Sequence, residues 1–159
     1  MADEDNAPDQ DTPEPQPRLF TLREAERTRR ELKPHLIEAM DCRKKLADLD
    51  RDLNAVSARI MMMGGMLVPY DKLSGLRAQH QQLAETFKSA LSRILETGCL
   101  IKDLEIGLLD FPSLLGNEEV YLCWKLGEDR IRFYHRQDEG FSGRKPLDPR
   151  DANPGDTVQ

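Results

Sequence analysis

The chain is poor in the features that most often declare a protein's class. It has only three cysteines, Cys42, Cys99 and Cys123. They are odd in number, widely spaced and form no C-x-x-C pair, which excludes a disulfide framework and a cysteine-built zinc knuckle and points to reduced thiols. No stretch approaches the roughly 18 consecutive apolar residues of a membrane helix. The N-terminus, "MADEDNAPDQDTPEPQPR", lacks the basic and apolar regions of a signal peptide, so the expected location is cytoplasmic, with no membrane partner. Positive charge is scarce where it would matter. The first 18 residues carry a net charge of −5 and residues 145–159 a net of −1, against −6 for all 159 residues, so residues 19–144 are neutral. That leaves no basic field for nucleic-acid phosphates, and a nucleic-acid partner is not expected. The one basic cluster is Arg27, Arg29, Arg30 and Lys33. It is interleaved with Glu26 and Glu31 and reads as a solvated helix face.

What is present is order bounded by two polar tails. Residues 1–18 are acidic and Pro-rich, and residues 148–159 are similar. Neither can offset its own ordering entropy, and both are expected to be disordered. Residues 19–147 form one expected domain. Thr21 and Glu24 spell a T-x-x-E capping box behind Phe20. Apolar positions then recur in alternating steps of three and four: Leu32, His35, Ala39, Cys42, Leu46, Leu49, Leu53, Val56, Ile60, Met63. This is a heptad-like seam, interrupted only by Pro34, where a kink or a division into two helices is expected. Gly64 and Gly65 end it. A second seam runs through Leu73, Leu76, His80, Leu83, Phe87, Ala90 and Ile94 to a stop at Gly98. The two predict a coiled-coil-like antiparallel helical hairpin over 21–97, with the first helix longer by its opening stretch, Thr21–Leu36.

Residues 99–147 alternate strand-like runs with turn residues: "CLIKDLE", "GLLDFP", "VYLCWKL" and "IRFYHR". A tight turn at "LGEDRI", with Gly127 opposite Arg130, pairs Leu126 with Ile131, Trp124 with Phe133 and Leu122 with His135. That register puts all six, with Val120, on the core face. Tyr121, Cys123, Lys125, Arg132 and Tyr134 fall on the other. The fold class is therefore α+β: a long helical hairpin with a small C-terminal antiparallel sheet packed at its base, against the Thr21–Leu36 overhang.

Four segments, "FTLREAE", "GCLIKDLEIGLLDFPSL", "EVYLCWKLGE" and "YHRQDEGFSGRKPL", resemble the bacterial family called domain of unknown function 2203. The resemblance spans about residues 19–147. Tyr134 stands where that family often has Trp, and the hairpin is less Glu-rich. It implies a single domain and leaves open whether there is an activity.

The segment 134–147 concentrates the chemistry. His135 is a candidate general base oriented by Glu139 or Asp138. The H-x-x-D-E spacing of His135, Asp138 and Glu139 could offer an imidazole and one carboxylate to a divalent ion, with Cys123, Asp103 or Asp110 completing the set. With no second His near, the signal is too weak to assign a metal, and no cofactor is expected. Cys123 with His135 is a conceivable nucleophile–base pair, but the register above separates them across the sheet. Gly140 and Gly143 suit positive φ, with Phe141 plugging the sheet edge. Arg144 suits a bidentate pair with Asp103, Asp110 or Glu139, or, with Lys145, a small anionic ligand. The "MMMGGM" run would close the hairpin tip.

Two function classes follow. The first is a non-enzymatic interaction or structural module, a homodimer or a binder of another protein, whose hairpins assemble as a four-helix arrangement with His35, Cys42 and His80 setting register. The second is a small-ligand binder or hydrolase-like enzyme. Its site lies between the overhang and the sheet, lined by His135, Glu139, Asp138 and Arg144 and supported by Asp103, Asp110 and Trp124.

Overall fold

A computed structural model describes residues 18–64 and 69–148. The expected tails lie almost wholly outside these residues, as does most of the hairpin loop, Gly65–Val68. Helix α1 spans Leu22–Met62 and α2 spans Tyr70–Leu95. The capping box forms: the Glu24 amide donates to Thr21 Oγ1 and the Thr21 amide to Glu24 Oε2, both at 3.2 Å. These satisfy two of the amides that a helix start otherwise leaves orphaned. Contrary to the expected division, α1 is one helix and runs through Pro34 without a break. Its 41 residues make it roughly 60 Å long at 1.5 Å per residue.

Five strands follow in a simple meander: β1 (Leu100–Asp103), β2 (Leu108–Leu115), β3 (Glu118–Lys125), β4 (Phe133–Arg136) and β5 (Lys145–Pro146), each antiparallel to the next. The short fifth strand has no counterpart in the sequence reading. Phe20 makes an isolated parallel bridge to Ser113 of β2, beyond the stretch of β2 that β1 pairs. Its amide donates to Pro112 O at 2.7 Å, and its carbonyl accepts from Ser113 Oγ at 2.6 Å. The start of the chain is thus tied to β2.

The helix-facing side of the sheet carries Leu109, Phe111, Leu122 and Trp124. They pack with Phe20, Ala25, Leu32 and Leu36 from the start of α1 and with Ile94 from the end of α2. The overhang is covered as expected, and the helix–sheet layer is a closed apolar core. Phe20 and Phe111 meet edge to face at 5.4 Å.

Gly107 shows how tightly the base is built. Its φ is +71°, and a Cβ there would lie 2.7 Å from Leu126 Cβ and 3.2 Å from Met40 Sδ. Its carbonyl accepts from the Leu126 amide at 2.9 Å. Only glycine combines that φ with that approach.

The β3–β4 register differs from the expected one by a single residue. Tyr121 pairs with His135, Leu122 with Tyr134, and Cys123 with Phe133. The cause is Glu128. Its carboxylate accepts from the Lys125 amide at 2.9 Å, and its own amide donates to Lys125 O at 3.0 Å. Lys125 therefore bonds within the loop, and the ladder stops at Cys123 and Phe133. Ile131 still reaches the helix–sheet core, because its amide leaves the sheet for the Glu26 carboxylate on α1. Beyond it, Phe133 and His135 turn to the outer face and Tyr134 to the core side, the reverse of the expected parity.

Candidate functional site

The changed parity assembles a cluster that the sequence reading had separated. Asp110 on β2 stands opposite Cys123 on β3, and His135 stands opposite Tyr121, two residues from Cys123 on the same face. The ligand atoms of Asp110, Cys123 and His135 all lie within 4.8 Å of one another. Asp110 and Cys123 are fully buried and His135 is 5 % exposed.

The hydrogen bonds define the state of the ring. His135 Nδ1 lies 2.9 Å from Arg136 O, and Nε2 lies 2.8 Å from Asp110 Oδ2. A carbonyl only accepts, so Nδ1 carries a proton. Nε2 then faces a carboxylate, and a second proton is held between them. The other carboxylate oxygen, Asp110 Oδ1, is buried with no hydrogen-bond partner. An unmet acceptor of this kind is costly and uncommon. The Cys123 thiol makes no hydrogen bond of ordinary geometry to it. Burial first, and the Asp110 charge second, push this thiol up to about 12, against a partial downward pull from Arg144.

This arrangement does not suit nucleophilic catalysis. A Cys–His–Asp relay uses one ring nitrogen for the thiol and the other for the carboxylate. Here Nε2 serves Asp110 and Nδ1 serves a backbone carbonyl, so no nitrogen is left to deprotonate Cys123.

The remaining candidates are dispersed. Arg144 pairs with Glu128, not with Asp103, Asp110 or Glu139: its Nη2 lies 2.7 and 2.9 Å from the two carboxylate oxygens. Its guanidinium also lies 4.2 Å from the Phe133 ring centroid and 4.9 Å from that of Phe141. Phe141 itself is exposed rather than plugged into the edge. Glu139 accepts from the Arg136 amide and from Lys145 Nζ, both at 3.2 Å, and these bonds hold its carboxyl below the usual range. Asp138 is exposed. Asp103 is exposed too and accepts from the Glu105 amide in the β1–β2 turn. Trp124 is in the helix–sheet core, where its Nε1 donates to Glu128 O at 2.9 Å. Gly140 and Gly143 do not have positive φ. Gly143 is needed for space instead, since a Cβ would lie 2.9 Å from Glu139 Cβ. Of the basic cluster, Arg29 is withdrawn from the surface, paired with Glu26 at 2.9 Å and set over Trp124.

The expected site between the overhang and the sheet is not assembled from these residues: a surface cleft of about 560 Å³ lies there, between Leu22 and Glu26 of α1 and Phe133 and Pro146 of the sheet, and none of the candidates lines it. The rest of that layer is packed core, and His135 lies on the opposite face of the sheet. Glu128, the hub of the β3–β4 loop, was missed. Its position four residues after Trp124 in "CWKLGED" carries no signal beyond a turn.

A family model for an uncharacterized conserved protein, DUF2203, matches residues 18–147. The chain belongs to the DUF2203 family. The match covers both helices and all five strands, and the segments contributing Asp110, Cys123 and His135 all fall inside it. No curated protein and no solved structure matches the chain. No helix among the described residues is long and apolar enough to cross a membrane.

Proposed function

We propose that this DUF2203 chain is a non-enzymatic interaction and structural module of the cytoplasm, which self-associates through its helical arm. The observation that carries the proposal is the exposure of the arm's seam. The sheet covers the hairpin only at its base, where Leu32, Leu36 and Ile94 are buried. Beyond Leu49, no described seam residue of the arm is buried: Leu53, Val56, Ile60, Leu73, Leu76, His80 and Leu83 are all half-exposed. Two helices alone cover an apolar seam from one side, whereas a second hairpin would cover the other, as in a four-helix bundle. Met61, Met62 and Tyr70 at the tip are 83 %, 87 % and 76 % exposed, and adaptable methionines suit such a contact. His80 Nε2 and Asp50 Oδ1 lie 3.0 Å apart across the hairpin, a polar pair able to set register between copies. The sealed polar cluster on the sheet, with its unreactive thiol, supports the non-enzymatic reading. Three free thiols at buried positions agree with a reducing compartment.

Sedimentation equilibrium of the full chain tests this. The expected result is a concentration-dependent mass rising to twice 18.2 kDa. Val56→Glu should return the monomer with helix content retained by circular dichroism. A monomer at every concentration up to the solubility limit would sink the proposal.

A further inference from the structure

The geometry points to a metal site on the outer face of the sheet: Asp110, Cys123 and His135 bind one divalent transition-metal ion, zinc by the chemistry of the donors. This site is independent of the arm and of self-association.

Three observations converge. One imidazole nitrogen, one thiol sulfur and one carboxylate are within 4.8 Å of one another on three adjacent strands. That mixed set suits a borderline-soft ion and is a poor set for calcium or magnesium, which take oxygen ligands. Second, His135 is already oriented for the task. Its Nδ1 is tied to Arg136 O at 2.9 Å, the outer-shell bond that fixes a ligating ring and turns Nε2 toward an ion. Third, Asp110 Oδ1 is buried without a partner. An ion at the centre of the cluster gives that oxygen the partner it otherwise lacks.

The charge balance closes. Without the ion, Asp110 and His135 share the proton between them and the thiol keeps its own, so the cluster has no net charge. Binding one divalent ion releases the proton between Nε2 and Oδ2 and the proton of the thiol. The bound form, with carboxylate, thiolate, neutral imidazole and the ion, is again neutral. No charge is added to a buried site, which is what burial would penalise. The geometric demand is small. Tetrahedral zinc with bonds of about 2.0–2.3 Å sets its donors roughly 3.3–3.7 Å apart. Nε2 and Oδ2, now 2.8 Å apart, must separate by about half an ångström, and the widest donor spacing, up to 4.8 Å, must close by about 1 Å.

The Tyr121 ring lies 5.3 Å from the His135 ring. Tyr121 also lines a surface cleft of about 420 Å³ with Leu100, Pro112 and Gln137. Three protein donors leave one position of a tetrahedral ion for a water or another donor. Bound there, the ion would staple β2, β3 and β4 together.

The test uses the full chain, stripped with a chelator and titrated with Co²⁺, then with Zn²⁺. It is repeated after urea unfolding and refolding with the metal present, so that slow entry does not hide a site. The expected result is a thiolate-to-cobalt charge-transfer band saturating at one equivalent, bleached by Zn²⁺, with a higher Tm in Zn²⁺. Cys123→Ser and His135→Gln should lose the band, while Cys42→Ala and Cys99→Ala keep it. If those variants do not fold, zinc-edge X-ray absorption on the wild type should count one sulfur and one imidazole. No band under either loading route would overturn the inference. So would a band that follows Cys42 or Cys99, or an absorption spectrum without sulfur.

Discussion

Arg144 and Glu139 belong to the same short segment, yet the structure gives them unequal weight. The Arg144 and Glu128 side chains are 12 % and 22 % exposed, and Glu128 also holds the loop that sets the register of β4. Arg144→Ala leaves Glu128 half-buried and unpaired, and should cost about 2 kcal/mol in urea unfolding. Glu139→Ala removes only solvent-facing contacts and should leave the midpoint unchanged within error. Equal losses for the two would contradict the assignment of Glu128 as the partner. Cys99 offers a pH test. Burial raises its thiol above the ordinary 9.0. The unfolded chain then holds fewer protons than the folded one once the free thiol ionises. Stability is therefore full below about pH 9 and falls as pH rises beyond it. Urea midpoints from about pH 8 to about pH 11 should drop more steeply for the wild type than for Cys99→Ala. At this scale the sequence was only partly legible. It named His135 with Cys123 or Asp110 only as one weak metal set among several, and its preferred partners, Glu139 or Asp138 for His135 and Arg144 for Asp110, were wrong, because partners depend on strand register rather than on residue type.

Elements were more legible than their alignment. Heptad-like spacing located both helices, and the T-x-x-E box marked the start of α1 correctly. The strand-like runs located β1 to β4. What failed was a single step across "LGEDRI". A tight turn was the economical choice, but the Glu128 carboxylate competes for the Lys125 amide and widens the loop. With a side-chain period of two, that one step moved Phe133 and His135 to the other face. Side-chain capture of a backbone amide has no periodic signature, so no pattern count could have found it. Glycines can be sorted at the same scale. Gly107 and Gly116 both have positive φ, but a Cβ meets Leu126 and Met40 at the first and nothing within 4 Å at the second. Gly116→Ala should cost about 1 kcal/mol of backbone strain, and Gly107→Ala roughly 2–4 kcal/mol, the excess being the clash. Thermal unfolding of the two variants side by side reads the difference directly.

The whole molecule divides its work by distance. The base holds the closed core and the Asp110–Cys123–His135 cluster, and the arm presents a half-covered seam well away from both. This division was largely legible, because a first helix longer than the second already demanded a cover for its overhang. The position of the polar cluster was not legible. It lies on the sheet face turned away from α1, where a strand alternating Leu109, Asp110 and Phe111 gives no sign that the Asp is also buried. Self-association through the arm and metal binding at the base should therefore be separable, and the sedimentation and cobalt experiments address opposite ends of the protein.

The tie between Phe20 and Ser113 has a kinetic consequence. The two residues are 93 positions apart, and closing so long a loop from a random coil costs conformational entropy that grows with its length. The hairpin removes most of that span. Helix formation and pairing of the two helices use local contacts, which form early. Once α1 and α2 lie side by side, only the overhang of α1 separates its start from the end of α2, and β1 begins a few residues later. The arm then acts as a zipper that shortens the search for the core. A weakened arm should slow folding more than it lowers the final stability of the base.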